Sequence, residues 1–198
     1  MNYSTVLFLH LAGALATFVG VGVWFLAAVT VRRVRRTEEI RSLGSIYEMG
    51  AALALVGVIV VAASGLGMAL TVWGLGVGWV QVAIGAFVLM APVGPFVVGP
   101  RIEVLIQAAR GLEDGPLSPE LVARVNDPLP KFGLLVVIGD LAGIVFIMTV
   151  KPSLTGSILA VVAFVGVGAA LSLPAVGRVV SGAVDALARF ESNPMYRR

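Results

Sequence analysis

Five apolar runs, at about residues 4–31, 46–71, 77–98, 132–150 and 154–176, each approach or exceed the ~20 residues a helix needs to cross ~30 Å of hydrocarbon. A segment in lipid must satisfy its own backbone donors and acceptors, so runs of this length fold as spanning helices. The expected fold is an all-α polytopic bundle of five transmembrane helices, forming a single integral membrane domain over residues 1–198. Composition agrees. With 59% hydrophobic and 13% charged residues, the chain has too little polar surface for a soluble domain, which carries about 25% charged residues.

Charge placement orients the bundle. All of the fourteen Lys and Arg residues except Lys151 fall in segments that alternation assigns to one side. Basic residues near helix ends stay in the cytoplasm, so the N-terminus is expected outside and the C-terminus inside. Arg32, Arg33, Arg35 and Arg36 follow the first run and are candidates for holding lipid headgroups. That run has no basic n-region before it and is about twice as long as a signal-peptide core, so it reads as an uncleaved anchor. The basic residues flank spans, and no soluble basic face tracks a phosphate backbone, so the lipid bilayer is the expected partner and nucleic acid is not. No Cys is present, which removes disulfides and thiol chemistry.

The links differ in length. Residues 72–76 and 151–153 are tight turns that join antiparallel helices. The links on the basic side are longer, with amphipathic cytoplasmic segments expected at about 101–125 and 178–191. Within the first, Ser118-Pro119-Glu120 reads as a capped helix start, and a short helix at headgroup level follows. Small residues at spacings of three, four or seven predict the bundle interior: Ala12, Ala16 and Gly20; Gly50, Gly57 and Ser64; Gly139 and Gly143; Gly156, Ala160, Ala163 and Ala170. Pro92, Gly94 and Pro95 should break or kink the third helix, either as a packing kink or as a broken-helix ligand site.

Ionisable groups inside a membrane cost about 2.5–3.5 kcal/mol or more unless paired, which makes each a functional candidate. His10, Glu48 and Asp140 are the three within reach of membrane depth. Glu48 lies within a turn of the basic interface and reads as half of a surface ion pair. Asp140 lies near the middle of the fourth helix and His10 in the first, about 6 Å apart in depth at 1.5 Å rise per residue. A hydrogen bond between them, direct or through one water, is the expectation. It would serve as a structural clamp or as a proton or ligand site, with Thr17 and Ser64 as polar neighbours in the spans.

His10 also raises haem binding. It shares a helix face with Gly13, Ala14, Thr17 and Trp24, and small residues beside a His make room for a flat macrocycle. With one His in the chain, a second axial ligand would be Met68 or Met148 or come from a second subunit. No other metal site is expected, because a lone His and a lone Asp fall short of the three or four ligands a stable site uses. No nucleophile and base pair, nucleotide-binding Gly-rich loop or paired carboxylates appear, so an enzymatic role is not favoured.

Phe8-Leu9-His10-Leu11-Ala12-Gly13, Ser64-Gly65-Leu66-Gly67, Trp73 with Trp79, and Phe146 through Pro152 together resemble the bacterial predicted integral membrane proteins grouped as domain of unknown function 2269. A more distant similarity runs to CopD-like copper-resistance proteins and HemJ-type protoporphyrinogen oxidases, which also begin with a His-bearing helix. This chain lacks the further His residues and Met-rich segments those functions imply. The resemblance implies a multi-pass protein of the bacterial inner membrane. The expected role is a non-enzymatic binding or accessory subunit, as a homo-oligomer or beside another membrane protein. The alternatives are a small redox or proton-handling protein using His10 and Asp140, and a small oligomeric transporter.

Overall fold

The computed structural model describes residues 2–173. Seven α-helices follow in order: α1 Tyr3–Thr30, α2 Thr37–Met68, α3 Gly78–Met90, α4 Gly99–Arg110, α5 Pro119–Val125, α6 Leu129–Val150 and α7 Leu154–Leu171. Counted with their end turns and continuations, five rods are long and apolar enough to cross a membrane, at Tyr3–Arg33, Thr37–Trp73, Gly78–Arg110, Pro119–Val150 and Leu154–Leu171. There is no strand among the described residues, and the five spanning rods of an all-α membrane bundle are present. The amphipathic segment at 178–191 lies outside the described residues.

Several rods outrun their apolar cores. α2 begins at Thr37 rather than near 46, because Glu38 and Glu39 sit in its first turn and the Glu39 carboxylate accepts from the backbone of Arg35 and Arg36. Hydropathy marks only the part of a helix that lies in lipid, and a polar continuation is invisible to it. The segment expected at 101–125 is likewise two helices. α4 carries the third rod onward, and α5 is a separate short helix whose Ser118 side chain accepts from Leu121 N at 3.3 Å.

These extensions pack into a small second core at the basic end. Ile40, Leu105, Ala109, Leu121 and Val125 are buried together there. The α1–α2 link is tied to the α4–α5 link by Thr37 N donating to Gly115 O (2.9 Å) and Leu117 N donating to Arg35 O (3.3 Å). Arg41 pairs with Asp114, and Arg110 with Glu48 at 2.7 Å. Of the four Arg residues considered for lipid headgroups, Arg32 donates to Asn126 O (3.1 Å) and Arg36 pairs with Glu38. The Arg33 and Arg35 side chains have no protein partner among the described residues.

α1 and α2 form the most extensive helix pair, and glycine decides their register. A Cβ on Gly57 would lie 2.5 Å from Thr17 N, and one on Gly20 would lie 2.4 Å from Ala54 N, so the backbones meet with no room for a methyl group. On α1 the interior stripe is therefore His10, Gly13, Thr17 and Gly20, all buried, whereas Ala12 is exposed and Ala16 only half-buried. Gly50, Gly57 and Ser64 of α2 are buried as expected. On α7 the buried positions are Ser157, Val161 and Gly168, while Ala163 and Ala170 are exposed. Ala and Gly look alike in a spacing count, yet only Gly permits contact of this closeness, and the stripes rotate to follow it.

The third rod distorts where the prolines predict. After α3, Ala91 and Pro92 form a turn and Val93–Val98 winds as a wide π segment, with Gly99 N donating to Gly94 O, five residues back. Pro95 has no donor, and the wider turn re-satisfies the chain without unwinding it. A Cβ on Gly94 would come 3.0 Å from the Trp24 ring, so this glycine admits the indole against the break.

Candidate functional site

Two cavities open inside the bundle, one toward each end. The first, about 460 Å³, lies toward the end that carries Tyr3, Trp73, Trp79 and Lys151, and His10 is among its lining residues. The second, about 660 Å³, has Trp24, Tyr47, Gly94, Pro95, Glu103 and Asp140 among its lining residues and extends to Glu48 and Gln107 toward the basic end. His10 lines only the first and Asp140 only the second.

No direct His10–Asp140 hydrogen bond forms. His10 Nδ1 sits 3.2 Å from Ser64 Oγ of α2. The reason is the α1–α2 glycine register, which turns the His10 face onto α2. A Cβ on Gly65 would lie 3.0 Å from His10 Cε1, so the imidazole lies close against the α2 backbone. Gly139 and Gly143, expected in the bundle interior, face α7, where hypothetical Cβ atoms would meet Phe164 O and Val161 Cα. Asp140, next in sequence to Gly139, points elsewhere as a result.

The hydrogen bonds of Ser64 favour one tautomer of a neutral His10. The Ser64 hydroxyl has one hydrogen and donates it to Val60 O of its own helix. Ser64 Oγ can then only accept from His10, so Nδ1 carries the ring proton and Nε2 keeps its lone pair. Nε2 has no hydrogen-bond partner among the described residues, and no fully enclosed polar side-chain atom there lacks one, so Nε2 reaches the cavity that His10 lines. Met68 and Met148 line the same cavity, which brings together all three residues considered as haem ligands.

At the mouth of this cavity Lys151 stands in the left-handed region at φ 53°, the one non-glycine residue to do so among the described residues. Its amide closes α6 by donating to Ile147 O, and its ammonium lies 4.2 Å from the Trp73 ring centroid and 5.9 Å from that of Trp79. The two indoles meet edge to face at 5.3 Å. Lys151 has no carboxylate partner among the described residues. In the sequence Lys151 stands out as the exception to the charge asymmetry, and its place in a tight turn on the same side as the turn between Trp73 and Trp79 was the available signal for a cation–aromatic cluster.

The Asp140 cavity has the opposite character. Asp140 is 2% exposed and makes no hydrogen bond or ion pair with any described residue. Its oxygens reach the cavity, by the same accounting as for His10 Nε2. Thr17 lines this cavity too, but its hydroxyl donates to Gly13 O at 2.9 Å. Trp24 and Tyr47 stack at 5.4 Å and 7°, with Trp24 Nε1 donating to Tyr47 O at 3.1 Å. Glu48 and Glu103 are the other acidic lining residues, and no Lys, Arg or His among the described residues lines this cavity. Pro95 and Gly94 form part of the wall, so the break in the third rod shapes this cavity.

No curated protein and no solved structure matches the chain. A family model does, across residues 4–152, which takes in α1 through α6 and, Tyr3 apart, the described residues that line both cavities. The chain belongs to the family described as predicted integral membrane protein, DUF2269.

Proposed function

We propose that this protein is a non-enzymatic binding or accessory subunit of the bacterial cytoplasmic membrane, N-terminus outside and C-terminus inside. It holds an apolar molecule with an acidic end group in the His10 cavity. The observation that carries this reading is the Lys151 ammonium, which has no described carboxylate partner and is held by Trp73 at the mouth of an apolar cavity. An ammonium at a membrane interface attracts an anionic head, and apolar walls below it take a chain or ring. The orientation rests on the asymmetry of Lys and Arg, with Lys151 alone at the opposite end.

The test is quenching of tryptophan emission by dibromostearic acid in detergent. The acid should quench saturably, a neutral dibromo-phosphatidylcholine should not, and Lys151→Gln should remove the difference. Equal quenching by both compounds would reject an acid-selective cavity. Reporter fusions check the orientation: activity of a cytoplasmic reporter at Pro152, or of an external one after Arg198, would reverse it.

Haem is the second reading, favoured by the Nε2 lone pair of His10 and the Met68 and Met148 thioethers around one cavity. His10 and one thioether would hold it, and it would supply electron-transfer chemistry. A stoichiometric Soret band in the purified protein supports this reading, and a colourless preparation removes it.

A further inference from the structure

We propose that the Asp140 cavity is a binding site for an organic cation with an apolar, aromatic-compatible body, independent of whatever occupies the His10 cavity. Three observations meet there. The Asp140 carboxyl is 2% exposed, has no described protein partner, and lines a cavity of about 660 Å³. The Trp24 and Tyr47 rings, stacked at 5.4 Å, line the same space. Among the described residues the lining has no basic side chain, and Glu48 and Glu103 are further carboxyl groups of the same sign as Asp140.

The chemistry narrows the ligand. A carboxylate in an apolar wall favours a counter-cation strongly, because little water shares its field. Aromatic faces attract cations through the ring quadrupole, Trp most of all. An inorganic cation is a poor fit, since Ca²⁺ or Mg²⁺ needs about six oxygen ligands and the deep part of this cavity offers one carboxyl group. A large organic cation needs one counter-charge and much apolar contact, which is what this cavity supplies. The volume falls within the range of small-molecule pockets. Arg110 pairs with Glu48 at 2.7 Å, while Asp140 and Glu103 have no ion-pair partner among the described residues.

The experiment is calorimetric titration of the full chain in detergent with tetraphenylphosphonium, against tetraphenylborate, which has the same shape and the opposite charge. Saturable one-to-one binding of the phosphonium alone is expected. Asp140→Asn should weaken it at least tenfold, Asp140→Glu should retain it, and Trp24→Leu should weaken it less than Asp140→Asn does. No saturable phosphonium binding, equal binding of both ions, or undiminished binding by Asp140→Asn would each overturn the proposal. The comparison of the two ions needs no variant, so a misfolded Asp140→Asn protein leaves the test standing. Because Asp140 does not line the His10 cavity, loss of phosphonium binding with acid quenching intact separates this proposal from the one above.

Discussion

The two cavities share a helix pair and differ in sign. Both are built partly on α1 and α2, yet one presents a histidine lone pair and a lysine ammonium, and the other presents carboxyl groups and no base. His10 is anchored: its Nδ1 proton is used by Ser64, whose own proton is used by Val60 O. Asp140 is not anchored by any described residue. His10 has one ring nitrogen held by the protein and one left to the cavity, whereas no described residue holds either Asp140 oxygen, a difference that burial alone does not reveal. Both residues are under a tenth exposed; the accounting of hydrogen bonds is what separates them.

The largest expected effect removes the comparison altogether. Gly57→Leu forces a side chain into a space where even a Cβ would be 2.5 Å from Thr17 N, and overpacking of this kind costs about 3 kcal/mol or more. The thermal midpoint in detergent should collapse, and both binding activities should go with it. Gly22→Leu is the control, since nothing lies within 4 Å of its Cβ position.

Asp140→Leu should act in the opposite direction. Sequence reading implies a lost clamp and a less stable protein. With no described partner to lose, the variant instead removes a carboxyl from an apolar wall and should raise the thermal midpoint, by at most the roughly 2.5–3.5 kcal/mol that such a group costs at mid-membrane on insertion scales. A lowered midpoint would mean that Asp140 has a structural partner, which would erase the contrast with His10.

Ser64→Ala tests the anchored side. It leaves Nδ1 of His10 without its acceptor and should cost about 0.6–1.7 kcal/mol, the range for hydrogen bonds between membrane helices. Phosphonium binding should be unchanged, and a change would show that the cavities are coupled. The smallest effect belongs to Lys151→Asn. Asn tolerates the left-handed region better than most residues, so the turn is kept and only the ammonium over Trp73 is lost, at about 0.5–1 kcal/mol. A loss well above that in unfolding experiments would assign Lys151 a larger part in closing α6 than a single cation–aromatic contact.

The sequence by itself determined the solvent and the class of fold. Apolar runs of spanning length leave helices as the regular structure that satisfies the backbone, and Pro92 with Pro95 located the distortion because a missing donor is a covalent fact. His10, Ser64, Thr17 and Asp140 were also legible as intramembrane polar groups, since the cost of burying them is local. Which of them meet was decided only by tertiary structure. A spacing of three or four residues defines a stripe but not its facing helix, and that choice fell to the closest approaches, where Gly20 meets Ala54, Gly57 meets Thr17 and Gly139 meets Phe164. Those contacts turned His10 toward Ser64 and left Asp140 facing a cavity. They depend on sub-ångström fit between two backbones, a property of the pair of helices that neither sequence carries alone.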